Sequence, residues 1–193
     1  MSAKTRILAF AGSARQDSYN KKLVQIAVQG ARSVGAEVML IDLRDFPLPI
    51  FDEDFEKESG APEHARNLKQ LFLEHHGLLI ASPEYNSSIS PLLKNTIDWV
   101  SRGAAGQAPL AAYVGKTAAL LSASPGGLGG LRGLVHLRSI LGNIGVLVLP
   151  DQIAVSKAYE AFQPDGSLKD GKQQAAVQNL GATLAAVTAK MHS

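Results

Sequence analysis

Short apolar runs and longer amphipathic stretches take turns along this chain. Ile7-Leu8-Ala9-Phe10-Ala11 is apolar on both faces, as a parallel strand buried between two helical layers must be. From Asn20, Leu23, Ile26, Ala27, Gly30, Ala31 and Val34 recur at three- and four-residue steps, which predicts a helix ending at Gly35. Glu37–Ile41, Leu78–Ala81, Thr117–Leu121 and Val146–Leu149 read as the next four strands. Helices are expected at about Pro62–His76, Pro91–Arg102 and Leu131–Leu141, and from about Asp170 to the end. Asp42–Pro62, with Pro47, Pro49 and an acidic cluster of Asp52, Glu53, Asp54, Glu56 and Glu58, reads as a solvated loop, and Gly103–Gly115 as a flexible one. Five strands alternating with five helices predict a doubly wound α/β sheet, and 193 residues suit one domain, 1–193.

Composition removes several alternatives. There is no cysteine, which excludes disulfides, thiol catalysis and cysteinyl metal sites. The net charge of +2 includes no Lys/Arg block for a nucleic-acid backbone. No apolar run is long enough for a signal sequence or a membrane span, so a cytoplasmic protein with no membrane partner is expected. His75 and His76 are adjacent rather than four apart, which is the wrong spacing for a metal pair on a helix, and no metal site is expected. Trp99 reads as core, and Lys94 with Asp98 as a surface pair.

In a doubly wound sheet, ligands gather at the carboxyl ends of the strands. Three loops there carry chemistry. The first holds Gly12, Ser13, Arg15, Ser18 and Asn20, which bring two hydroxyls, a cation and an amide to a helix N-terminus and so describe a phosphate cradle. Asp17 must then face solvent. The second, Ser82 to Pro91, is stiffened by two prolines and holds Tyr85, so it can present backbone groups and a ring to a flat heterocycle. The third, Ser122 to Gly130, has four glycines among its last five residues and lets a backbone approach a ligand. No glycines stand as G-x-G-x-x-G, and Gly166–Lys172 imitates the start of a Walker A but is followed by Gln173. A mononucleotide with a flat ring suits the three loops, FMN among the candidates.

Gly12-Ser13-x-Arg15-x-x-Ser18-x-Asn20, with Pro83-Glu84-Tyr85-Asn86 and Leu93-Lys94-Asn95-Thr96-Ile97-Asp98-Trp99, resembles the NADPH-dependent FMN reductase family, the group that includes quinone and chromate reductases. Ser122-Ala123-Ser124-Pro125-Gly126-Gly127 through Arg132, then His136-Leu137-Arg138, is similar to that family's third flavin loop. The resemblance implies a flavodoxin-like fold with strand order 2-1-3-4-5. It implies FMN held at the phosphate by Ser13, Arg15, Ser18 and Asn20, along the ring by Pro83, Glu84, Tyr85 and Asn86, and by Ser124 with Ser122. NADPH or NADH would reduce the flavin, and quinones, free flavin, azo dyes or chromate would take the electrons, with no catalytic side chain required. Arg102 and Arg132 are candidates for the NADPH 2′-phosphate. A homodimer or homotetramer is implied, although Val135 stands where many members carry an aromatic residue, and Leu92 where many carry Gly or Ala. The rival readings are a flavodoxin-type electron carrier, which a charge of +2 disfavours, and a flavin-binding sensory module.

Overall fold

A computed structural model describes residues 4–103 and 106–192. Strands β1 (Arg6–Ala11), β2 (Glu37–Asp42), β3 (Gly77–Ala81), β6 (Thr117–Ala123) and β7 (Leu147–Val155) form one parallel sheet in the order β2-β1-β3-β6-β7. This is the expected order, once a small hairpin, β4 (Glu84–Tyr85) and β5 (Ser88–Ile89), is counted between the third and fourth sheet strands. Ala11 pairs with Ala81, and Ala81 with Leu121, so the three loops after β1, β3 and β6 leave the sheet side by side.

The period-two pattern of the strands divides the core into two layers. Ile7, Ala9 and Ala11 face helices α1 (Tyr19–Ser33) and α7 (Gly171–Met191). Leu8 and Phe10 face α3 (Glu63–Glu74), α4 (Pro91–Ser101) and α5 (Leu131–Asn143). Helix α4 starts where the sequence says it should: Ser90 accepts from Leu93 N and Pro91 takes the first turn. Trp99 is core, and Lys94 pairs with Asp98 at 2.7 Å. Helices α1 and α7 cross almost backbone to backbone. A Cβ on Gly30 would sit 1.8 Å from Gln178 O, and one on Gly181 1.9 Å from Ala27 O, so both positions exclude any side chain.

Three expectations need correction. The Asp42–Pro62 segment is not simply a loop. It holds a 3-10 turn at Leu43–Asp45 and a helix, α2 (Glu53–Ser59), whose start Asp52 caps by accepting from Asp54 N and Phe55 N. Glu53, Asp54 and Glu56 of the acidic cluster fall in the first turn of that helix, where carboxylates suit the dipole. The segment is tied to α4: Asn95 and Trp99 donate to Pro49 O, and the Phe51 and Trp99 rings meet edge to face at 4.9 Å.

The Gly103–Gly115 stretch is not a free loop either. Ala112 and Tyr113 are fully buried, and Gly115 N bonds Gly145 O at the amino edge of the sheet. Residues 106–115 therefore lie at the opposite end from the three loops of their own chain, while Ala104 and Ala105 lie outside the described residues.

The last strand runs on past Leu149 to Val155. A bulge sets Ala119 opposite Leu149–Asp151, and Pro150, which has no N–H to donate, sits in it on the sheet edge. A further short helix, α6 (Ala158–Ala161), precedes the turn at Gly166, and Asp170 caps α7 where a Walker A would need a phosphate loop.

Candidate functional site

Ser13, Arg15, Ser18, Tyr19 and Asn20 form one wall of a cleft, Pro83, Glu84 and Tyr85 a second, and Ala123, Ser124 and Pro125 the third. Its enclosed volume is about 80 Å³. Ligand pockets that engulf their guest hold roughly 300 Å³ or more, so a ligand here lies in an open groove. A larger cleft of about 280 Å³ lies at the end of β2, but it shares none of these loops, and Lys21 and Asp42 already pair there at 2.5 Å.

The first loop leaves β1 under tension from both sides. Gly12 N donates to Ala81 O, and Ser90 Oγ donates to Gly12 O at 2.6 Å. Gly12 is needed for closeness, since a Cβ there would sit 3.0 Å from Leu93 Cβ. Ser13 and Ser18 are nearly buried, and the Ser18 hydroxyl makes no capping bond to α1. No acidic residue occupies the first turn of α1, and Asp17 is exposed, as a phosphate cradle requires. Arg15 is exposed and its guanidinium has no partner among the described residues. The unengaged Ser18 hydroxyl, the Ser13 hydroxyl, which accepts from Arg15 N at 3.3 Å and keeps its proton to donate, a helix N-terminus and an exposed cation fit a phosphate monoester.

Asn20 has a different occupation. Its Nδ2 donates to Ala123 O and its Oδ1 accepts from Ala123 N, both at 2.9 Å and both buried. The amide that the sequence offers to phosphate binds the first loop to the third instead. Ser122 is likewise enclosed. Strand β6 continues to Ala123, which buries the Ser122 hydroxyl completely and aims it at Ser82 O, 2.7 Å away. Ser124 sits at the rim, with N donating to Val155 O and O accepting from Ala158 N.

The second loop is a hairpin rather than a plain connection. Tyr85 pairs with Ser88, and Asn86 and Ser87 turn the chain with φ of 50° and 67°. Two positive φ values at the centre of a two-residue turn match the right-handed twist of the flanking strands. The Tyr85 ring is half exposed at the cleft mouth. Glu84 bonds Arg132 and Gly133 N at the start of α5, and His136 Nδ1 lies 3.0 Å from Ser88 Oγ. Burial alone pushes Glu84 up, but the Arg132 and Gly133 hydrogen bonds outweigh it and hold its pKa below the ordinary value.

The glycines of the third loop serve chain packing more than access. Gly129 has φ of 62° and a Cβ there would meet Ser156 N at 2.8 Å, while one on Gly130 would meet Ser122 Oγ at 1.9 Å. A Cβ on Gly126 would make only ordinary contact with Ser124 Oγ at 3.8 Å, and one on Gly127 would face open space. Tyr19, Ala123 and Pro125 line the cleft although no role was expected of them; Ala123 and Pro125 stand within the third motif, and Tyr19 fills an unspecified position of the first. Arg102, by contrast, stands one helix length, about 16 Å, down α4 from its first residue, bound to Glu56 at 2.8 Å.

A model of the family described as NADPH-dependent FMN reductase matches residues 5–160. The chain belongs to that family. It is an FMN-dependent oxidoreductase that draws reducing equivalents from NAD(P)H. An NAD(P)H-dependent FMN reductase of Pseudomonas aeruginosa is 35% identical over 179 residues, 92% of each chain. An NADPH:quinone oxidoreductase of Arabidopsis thaliana is 32% identical, over 96% of this chain and 93% of its own. Among solved structures, the flavoenzyme NAD(P)H:(acceptor) oxidoreductase FerB of Paracoccus denitrificans superposes with a TM-score of 0.80 at 26% identity, covering 97% of this chain and 98% of its own. No helix among the described residues is long and apolar enough to cross a membrane, and no group of three or more potential metal ligands occurs among them.

Proposed function

We propose that this single domain, 1–193, is a quinone reductase whose FMN lies along the three-loop groove. The observation that carries the reading is the convergence of the uncapped α1 N-terminus, the Tyr85 hairpin and the Ser124 rim on one cleft. Ser13, Ser18 and Arg15 hold the phosphate. Pro83, Glu84, Tyr85 and Asn86 line the ring, and Ser124 closes its far side. Asn20 and Ser122 support from behind by tying the loops together.

Bound FMN supplies a ring that takes up a hydride and returns two electrons. The chain binds, orients and excludes. Overall, one NAD(P)H, one proton and one quinone become NAD(P)⁺ and one quinol. Tyr85 and Pro125 put apolar surface at the mouth, which suits a flat acceptor such as a quinone or an azo dye. Chromate, a compact hydrated dianion, gains less from that surface. Arg132 rather than Arg102 stands near enough to meet NADPH. A cytoplasmic location, where NAD(P)H is abundant, fits this reading. Leu131 and Val135, exposed one turn apart on α5, support self-association as a homodimer or homotetramer.

The test is anaerobic. Protein is loaded with FMN, freed of excess flavin and mixed with NADPH, then with a water-soluble benzoquinone, while the visible flavin band is followed. Bleaching by NADPH and recovery with quinone are expected. A band that persists with both NADPH and NADH would replace the enzyme with a carrier or sensor.

A further inference from the structure

Glu84 is the acidic residue in the wall of a groove whose other charged lining residue is Arg15, and its side chain is only 9% exposed. Arg132 Nε and Nη2 both donate to its Oε1, at 3.0 and 2.7 Å, and Gly133 N donates to Oε2 at 3.2 Å. Helix α5 has Gly130 at its N-cap and no capping side chain of its own, so this carboxylate from another loop stands in for the cap. The contact is close: a Cβ on Gly133 would lie 3.4 Å from Glu84 Cβ and 3.1 Å from Ser88 O. The pair is lopsided, with the carboxylate inside and the guanidinium 59% exposed.

We propose that Glu84 and Arg132 are a positioning pair that sets the reduction potential of the flavin, each cancelling the other's charge beside the ring. This rests on the FMN site proposed above. A reduced flavin carries more negative charge than an oxidised one, so a bare carboxylate nearby opposes reduction and a bare guanidinium favours it. Paired, they leave the ring close to neutral surroundings while the hairpin stays fixed to α5.

The experiment is a redox titration of FMN-loaded wild type, Glu84→Gln, Arg132→Gln and the double variant, read from the flavin spectrum. Glu84→Gln is expected to raise the reduced-to-oxidised ratio at a given potential about tenfold, which is about 30 mV for a two-electron couple. Arg132→Gln is expected to lower that ratio, by less than tenfold because solvent screens the exposed guanidinium. The double variant should return near the wild-type ratio. Shifts in the same direction in both single variants, or in neither, would reduce the pair to a structural tie. Glu84→Gln protein that cannot be saturated with FMN would overturn the proposal in the same way. A wild type that takes up no FMN would instead overturn the parent reading.

Discussion

Replacing Asn20 by Ala separates two roles that the motif alone cannot separate. The side chain makes two buried 2.9 Å bonds to the backbone of Ala123. Alanine leaves that N–H and C=O without partners where Asn20 is 3% exposed. Each stranded buried group costs about 1–3 kcal/mol, so a loss of roughly 2–4 kcal/mol is expected, somewhat less if water enters. For a chain of this size that is a fall in Tm of about 5–15 °C. The measurement is thermal or urea unfolding of the FMN-free protein, so that no cofactor contributes. FMN affinity should fall as well, because the first and third loops drift apart. An apo-protein Tm within a degree of wild type, with FMN affinity still lost, would refute this reasoning and restore the amide as a direct phosphate ligand.

Arg15→Ala removes an exposed cation with no partner among the described residues, so it should weaken FMN binding about tenfold by equilibrium titration and leave the apo-protein Tm unchanged. Ser87→Gly should stabilise by up to ~1 kcal/mol in urea unfolding, since Ser87 holds φ of 67°, a region glycine enters freely. Burial, then Arg6, depresses Lys116 to about 8. The unfolded chain therefore binds the extra proton between about pH 8 and the ordinary lysine value, and stability should rise with pH across that window. Chemical unfolding at several pH values should show a steeper rise in wild type than in Lys116→Met; equal slopes would refute it.

The sheet was legible because its signal is local. Five apolar runs, and the spacing of Leu23, Ile26 and Ala27, follow from burial on one or both faces. The segment before α3 was not, because the partners that hold it, Asn95 and Trp99, are far away in the chain. Tyr113 was hidden for the same reason: glycines and alanines around it mimic a linker, while Phe72 receives its ring at 5.3 Å. At the candidate site, residue types marked three loops that the fold brings to one cleft. They did not reveal that Asn20 and Ser122 face inward, because a strand two residues longer than the pattern decides that. Pro150 stopped the reading of β7 early, since only the bulge shows how an edge strand can carry it.

The crossing of α1 over α7 has a consequence for how the protein is made. Gly30 and Gly181 belong to opposite ends of the chain, and roughly 140 residues separate Ser33 from Gly171. At about 5–20 residues per second, the helix that opens the proposed phosphate cradle emerges roughly 7–28 s before the helix it leans on. Until then its apolar face, with Leu23, Ile26 and Ala27, has the sheet and α6 on one side but lacks Val177, Leu180 and Leu184 on the other. The cradle therefore becomes competent late in translation, and a chain halted before α7 should be insoluble rather than merely inactive. FMN added to a stalled chain would have little to bind.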